Sequence, residues 1–247
     1  MTNTLGFQLI NKTLFIPKTG TLVIGDLHLG YEESLREGGI NFPLNLLKTT
    51  KEELKAIITS LQNKREKINK IILLGDLKHF FMFKKQEKYE ILELLDFLEK
   101  YVSKENIILI KGNHDKIQIN RTGMKYHDYY IEGDIAFTHG DKIYFEILDK
   151  KIKTIIIGHI HPAAILRDKH NIKKEKFKCY LIGKWKKKNL IILPSFLPLI
   201  AGTEINEEYS DKPGWSILTK KEMKEFKTYI IDDNGKILEF GKLKDLG

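Results

Sequence analysis

The sequence predicts a layered α/β fold in which two β-sheets pack face to face and helices flank them. Three observations carry this expectation. Short β-branched or aliphatic runs recur along the chain, each ending in Gly or His and a polar cluster. Amphipathic segments long enough for helices separate those runs in the first half. In the second half, short strand-like pieces follow one another with turn signals between them. Alternation of strand and helix is the grammar of an α/β layer. A succession of strands adds a second sheet.

Along the chain, the first such run is Thr21-Leu22-Val23-Ile24, which leads into Gly25-Asp26-Leu27-His28. Pro43 to Leu61 predicts a helix, with Leu46, Leu47, Leu54, Ile57, Ile58 and Leu61 as apolar contacts. Ile71-Ile72-Leu73-Leu74 leads into Gly75-Asp76. Lys84 to Val102 predicts a second helix, carried by Ile91, Leu92, Leu94, Leu95, Leu98 and Val102. Ile107-Ile108-Leu109-Ile110 leads, after Lys111, into Gly112-Asn113-His114-Asp115. Ile135-Ala136-Phe137-Thr138 leads into His139-Gly140-Asp141, and Thr154-Ile155-Ile156-Ile157 into Gly158-His159-Ile160-His161. Each run is too short for a helix and apolar on both faces, which describes a strand buried on both sides. Beyond His161 the predicted strands are Ala163–Leu166, Phe177–Ile182, Leu190–Leu193, Trp215–Leu218, Thr228–Ile231 and Ile237–Phe240. Lys212-Pro213-Gly214 and Asp232-Asp233-Asn234-Gly235 mark turns.

Composition narrows the class. With 247 residues, 42% hydrophobic and 30% charged, the chain is an ordinary globular one and long enough for a large core. No apolar run approaches the roughly 18 residues of a membrane span, and no signal peptide is visible at Met1–Gly6. Cys179, the single cysteine, excludes an internal disulfide and fits a reducing cytoplasm. The net charge is +9. From Ile165 to Leu190, ten basic residues (Arg167, Lys169, Lys173, Lys174, Lys176, Lys178, Lys184, Lys186, Lys187, Lys188) face only Asp168 and Glu175. A local basic stripe points to an anionic partner, nucleic acid first. The competing reading is a solvated lysine-rich hairpin.

The chemistry lies in the polar clusters. His28, His114, His139, His159 and His161 all sit just after buried runs, as do Asp26, Asp76 and Asn113. Loops at one edge of a sheet would bring these eight side chains together. Imidazole nitrogens with carboxylate and amide oxygens, and no thiolate, suit Mn, Fe, Zn or Co. A lone His beside a turn is more often a satisfied hydrogen-bonding residue than a ligand. Five in phase at strand ends point to metal binding.

Asp26-x-His28, Gly75-Asp76, Gly112-Asn113-His114-Asp115, His139-Gly140 and Gly158-His159-x-His161 resemble, in order and spacing, the five motifs of calcineurin-like metallophosphoesterases. The resemblance implies an αββα four-layer sandwich over residues 1–247, one domain without a separate capping domain. It also implies a dinuclear metal centre, with manganese first and iron, zinc, cobalt or nickel able to take the same donors. Asp26, His28 and His161 would hold one ion, Asn113, His139 and His159 the other, and Asp76 would bridge. His114 would be catalytic without being a ligand. Asp115 would orient its imidazole, unless it is only a turn cap. The implied reaction is attack of a metal-bridged hydroxide on a phosphodiester.

Asp26-Leu27-His28-Leu29-Gly30 and Gly75-Asp76-Leu77-Lys78-His79 resemble the repair nucleases of the Mre11 and SbcD type more narrowly. Arg36-Glu37-Gly38-Gly39-Ile40-Asn41-Phe42-Pro43 and Leu193-Pro194-Ser195-Phe196 through Gly202-Thr203 extend the likeness to stand-alone archaeal phosphoesterases similar to bacterial PdeM. That likeness implies a nucleic acid substrate, a DNA-repair helicase or ligase as partner, and a homodimer as a compatible state. Lys78 and His79 are candidate substrate contacts, as are Lys184, Lys186, Lys187 and Lys188, with Trp185 either stacking or part of the core. The alternative substrate is a small nucleotide or cyclic dinucleotide. A scaffold that had lost catalysis would show altered motif positions, and all eight are filled.

Overall fold

The computed structural model describes residues 2–40, 45–82, 84–116, 124–168, 170, 173–207 and 215–246. One sheet runs in chain order: β1 (Thr2–Thr4), β2 (Phe7–Ile10), β3 (Thr13–Ile16), β4 (Thr21–Ile24), β5 (Lys70–Leu74), β6 (Ile107–Ile110) and β7 (Tyr126–His127). Strands β1 to β4 pair antiparallel, and β4 to β7 pair parallel. The remaining strands are β8 (Tyr129–Glu132), β9 (Ile135–Thr138), β10 (Thr154–Ile157), β11 (Pro162–Arg167), β12 (Lys174–Trp185), β13 (Lys188–Ile192), β14 (Thr203–Glu204), β15 (Lys227–Ile231) and β16 (Ile237–Lys242). They form the second sheet in the order β14-β11-β12-β13-β10-β9-β8, with β15 against β12 and β16 against β15.

The helices are α1 (Tyr31–Glu37), α2 (Leu46–Asn63), α3 (Lys85–Leu98) and the short α4 (Lys220–Met223). Asn45 caps α2 by accepting the Lys48 N–H at 2.8 Å. The predicted start of that helix at Pro43 lies outside the described residues. The α3 helix stops at Leu98, four residues before the predicted end at Val102.

Side-chain alternation in the strands divides the core into layers. Leu22 and Ile24 of β4 and Ile71 and Leu73 of β5 point to the helices, where Leu54, Ile58, Ile91 and Leu95 meet them. Val23, Ile72 and Leu74 point the other way, into a filling shared with Phe137, Ile156 and Ile191 of the second sheet. The outer face of that sheet, Ile155, Ile157, Leu190 and Ile192, packs on Ile147, Leu218, Met223 and Phe226. Two sheets are thus flanked by helices. The flank over the second sheet is the thinner one: among the described residues it holds α4 and the 3-10 turns at Phe145–Leu148 and Leu243–Asp245.

One predicted strand is corrected. Trp215–Leu218 is a series of bends. Its backbone is committed elsewhere: Ile217 N–H donates to the Gly140 carbonyl at 3.0 Å, and the Trp215 carbonyl accepts from His159. The turn predicted at Lys212-Pro213-Gly214 lies outside the described residues.

Parallel pairing sets the functional edge. β4, β5 and β6 all end at one edge of the first sheet, and β9, β10 and β13 at one edge of the second. Packing of the sheets brings the two sets of strand ends together.

Candidate metal centre

Five of the side chains at this edge come from residues with positive φ: Asp26 (21°), His28 (46°), Asp76 (45°), His159 (65°) and His161 (48°). Non-glycine residues seldom adopt this conformation, and each instance costs roughly 1–3 kcal/mol. The loops hold them there by cross-bonding. His28 N–H donates to the Asp76 carbonyl at 2.9 Å, Leu29 N–H to Leu77 at 3.0 Å and His79 N–H to Leu29 at 2.8 Å. The two similar motifs after β4 and β5 therefore zip into a small parallel ladder. A Cβ at Gly75 would collide with the His139 ring, and one at Gly158 with the Asp26 carboxylate. These two glycines let the side chains approach.

The convergence is tight. Asp26 Oδ1 lies 3.1 Å from His161 Nε2, which lies 3.3 Å from His28 Nε2. Across the site, His139 Nε2 is 3.0 Å from Asn113 Oδ1 and 3.1 Å from His159 Nδ1. Asp76 Oδ2 stands between the two groups, 3.7 Å from His28 Nε2 and 3.4 Å from His139 Nε2. The eight residues singled out from the sequence meet in one place.

The hydrogen bonds fix which ring atoms face inward. His139 Nδ1 donates to the Leu74 carbonyl at 3.2 Å, and His159 Nε2 to the Trp215 carbonyl at 2.5 Å. A carbonyl only accepts, so in the neutral rings His139 Nε2 and His159 Nδ1 carry lone pairs. Lone pairs facing each other at 3.1 Å, with carboxylate and amide oxygens beside them, repel unless a cation, a proton on one ring or a metal ion, lies among them. The donors therefore fit divalent metal: Asp26, His28 and His161 form one group, and Asp76, His139 and His159 another.

The electrostatics agree. Burial and the neighbouring His161 lower His28 to about 3, so its ring is neutral. Burial opposes ionisation of Asp76, but the hydrogen bond and charge of His139, then His28, outweigh it and hold the carboxyl below its usual range. Burial likewise opposes charge on His139, yet Asp76 and Asp26 push it up to about 9. The centre demands positive charge, which a bound metal supplies.

A scan against family profiles matches residues 20–185 to the calcineurin-like phosphoesterase family. The chain belongs to that family. It is a metal-dependent phosphoesterase, a hydrolase acting on ester bonds. Among solved structures, it is similar to the nuclease MPE of Pseudomonas putida at 18% identity and a TM-score of 0.60, covering 93% of this chain and 92% of that one. It also matches the zinc complex of Vps29 from Entamoeba histolytica at 14% identity and a TM-score of 0.39, covering 89% and 96%. A metallophosphoesterase from Sphaerobacter thermophilus matches at 11% identity and a TM-score of 0.33, covering 90% and 87%. The likeness to the nuclease MPE concerns the fold. No curated protein matches the sequence significantly.

His114 sits at the rim of the phosphoesterase centre, with Nε2 4.0 Å from Asp76 Oδ2. Its Nδ1 donates to the His79 carbonyl at 2.5 Å. That bond corrects the role expected of Asp115. The Asp115 carboxylate is fully buried and accepts backbone N–H groups of Gly112, Leu77 and Lys78 at 2.9–3.4 Å. It ties the loop after β6 to the loop after β5 and is not the partner of the His114 ring. Burial pushes Asp115 up to about 6.

The lysines expected at the substrate are also corrected. Lys78 is 1% exposed, and its ammonium turns inward to the Phe80 and Met82 carbonyls and Glu87. Glu87 accepts the N–H groups of His79 and Phe80 at 2.8 and 2.9 Å. This pair shapes the loop that carries His79. Removing one partner strands a buried charge, so Glu87→Ala is expected to destabilise the fold by about 3 kcal/mol in urea unfolding. His79 itself does face the centre, beside His28 and His114.

Lys184, Lys186, Lys187 and Lys188 lie at the wrong end of the sheet. β13 starts at Lys188 and runs toward the centre, so the hairpin is about five residues, roughly 17 Å, from the strand ends. Lys188 is buried and donates to the Asp149 and Ile152 carbonyls. Trp185 is a core residue whose Nε1 donates to Glu222 at 3.1 Å. Elsewhere in the stripe, Arg167 pairs with Glu207 and Lys176 with Glu204. Lys169 lies outside the described residues.

Sequence reasoning leaves the Leu193–Phe196 motif without a role, and the structure supplies one. Ser195 Oγ and Phe196 N–H both donate to the Asp26 carbonyl, at 3.0 and 3.1 Å. Two lysines, the half-buried Lys178 and the buried Lys12, brace that loop. Lys178 donates to Ser195 and Leu197 carbonyls at 2.7 and 2.6 Å, and Lys12 to the Phe196 carbonyl at 3.0 Å. Burial lowers Lys178 to about 7. From about pH 7 to 10.5 the unfolded chain keeps a proton that the native protein has released. This residue's contribution to stability therefore rises with pH. Thermal unfolding across that range is expected to show the wild type gaining on Lys178→Met.

Proposed function

We propose that this phosphoesterase is a dinuclear-metal phosphodiesterase that cleaves nucleic acid, as a DNA-repair nuclease. The observation that carries the reading is the position of Asp76 Oδ2 between two inward-facing donor groups, with His114 at their rim. The repair-nuclease character of Asp26–Gly30 and Gly75–His79 supports the substrate class. The fold shared with a protein described as a nuclease is consistent with it.

Asp26, His28 and His161 would hold one ion, and Asn113, His139 and His159 the other, with Asp76 shared. When bound, such a pair supplies Lewis acidity toward the phosphoryl oxygens and an activated water. Manganese suits these nitrogen and oxygen donors. The protein does the rest. Asp76 Oδ1 accepts the His114 N–H at 2.9 Å and fixes that residue's backbone. The His79 carbonyl fixes the ring, leaving Nε2 as the atom that exchanges a proton. An imidazolium there donates its proton to the departing alkoxide and returns to neutral imidazole.

Manganese-loaded protein on an internally labelled single-stranded oligonucleotide tests this. Cleavage that EDTA abolishes is expected. An intact oligonucleotide, with bis-(p-nitrophenyl) phosphate still hydrolysed, would move the substrate to small phosphodiesters.

A further inference from the structure

Directly after His79 the chain reads Phe80-Phe81-Met82, and nothing in the chemistry above uses these side chains. Phe81 lies nearly flat on the His114 imidazole, with ring centroids 4.2 Å apart and planes 23° apart. The ring is otherwise partly open: Phe81 is 47% exposed and Met82 is 74% exposed. Phe80 meets the His79 ring edge-on at 5.5 Å, and Tyr31 meets the same imidazole at 5.0 Å. None of the hydrophobic clusters among the described residues includes Phe80 or Phe81. Leaving apolar rings in water beside a polar centre costs free energy, so a use for them is expected.

Cations flank the rings. Lys116 Nζ is 5.1 Å from the Phe81 centroid, and Lys84 Nζ is 4.9 Å from that of Phe80. Aromatic faces with ammonium groups alongside match a nucleotide, whose base stacks and whose phosphate meets the cation. A duplex base has both faces covered by its neighbours. Stacking on a side chain therefore selects an unstacked base, in a single strand or a splayed end.

We infer that Phe81 is a nucleobase-stacking subsite that seats the base beside the scissile phosphate of single-stranded nucleic acid, with Lys116 on an adjoining phosphate. The inference rests on the nuclease reading. Because the same ring rests on His114, a base seated on it places the neighbouring phosphodiester within reach of Nε2. Phe81 is a positioning residue, and it replaces the distant 184–188 hairpin as the substrate contact.

The test uses a 5′-labelled single strand with one internal abasic residue, beside its unmodified twin. Manganese-loaded wild type is expected to lose roughly tenfold to a hundredfold in cleavage at a phosphate flanking the abasic residue. Phe81→Ala should fall by a similar factor on the unmodified strand and no longer distinguish the two. Phe81→Tyr should keep both rate and discrimination. In EDTA, fluorescence anisotropy of a labelled strand should show Phe81→Ala binding more weakly by a similar factor. Wild-type cleavage and binding by Phe81→Ala, or unchanged discrimination, would overturn the inference and leave the nuclease reading standing. If the wild type cuts neither strand, both fall.

Discussion

Asp76→Asn protein is expected to fold, to retain less manganese than the wild type, and to lose more than about a hundredfold in phosphodiester hydrolysis. Asparagine keeps the shape and an oxygen that can accept the His114 N–H, a bond of 2.9 Å in the wild type. What it removes is the charge at Oδ2, which lies between His28 Nε2 and His139 Nε2. Partners one shell beyond a metal typically cost 10- to 100-fold on mutation, so a shared ligand should cost more. The loss of charge also removes the main reason His139 holds a proton so firmly without metal. Metal content after dialysis and a parallel rate measurement check the two losses together. Full metal retention would contradict the bridging role.

His114→Ala should separate chemistry from metal binding. Its ring is partly exposed, it bonds the His79 carbonyl, and it lies at the rim of the centre. Losing a positioned proton donor costs roughly 10²- to 10⁴-fold. Metal content should stay at the wild-type level. The defect should shrink for substrates with good leaving groups, because such leaving oxygens need less protonation. Comparing an oligonucleotide with bis-(p-nitrophenyl) phosphate measures that difference. An equal loss on both would place His114 in binding.

Much of this architecture is legible in the sequence because burial on both faces leaves a plain mark. Ile71–Leu74 and Thr154–Ile157 have water on neither side, so every residue is apolar or nearly so, and the polar clusters after them stand out. The hairpin of β2 and β3 is harder to read. Phe7–Ile10 and Thr13–Ile16 are comparably apolar, but no cluster bearing Asp or His follows to give them a role. The Asn45 cap, rather than the apolar period, sets where α2 begins.

The site divides in the same way. Asp26, His28, Asp76, Asn113, His114, His139, His159 and His161 follow strands that end at one edge, so spacing alone gathers them. The environment of a lysine is invisible to spacing. Lys78 and Lys188 read as substrate contacts and Lys178 as part of a basic stripe, but each turns its ammonium onto backbone carbonyls inside the protein. Asp115 follows His114 in sequence, yet its carboxylate binds the backbone N–H groups of Gly112, Leu77 and Lys78. Phe81 carried a readable signal, an aromatic run after a site motif, whose meaning depends on the stack with His114.

Anomalous diffraction from manganese-soaked crystals is the most direct test of the dinuclear centre. The expected map has two peaks at the strand ends, one among Asp26, His28 and His161 and one among Asn113, His139 and His159, with Asp76 contacting both. A single peak, or manganese bound away from these side chains, would contradict it.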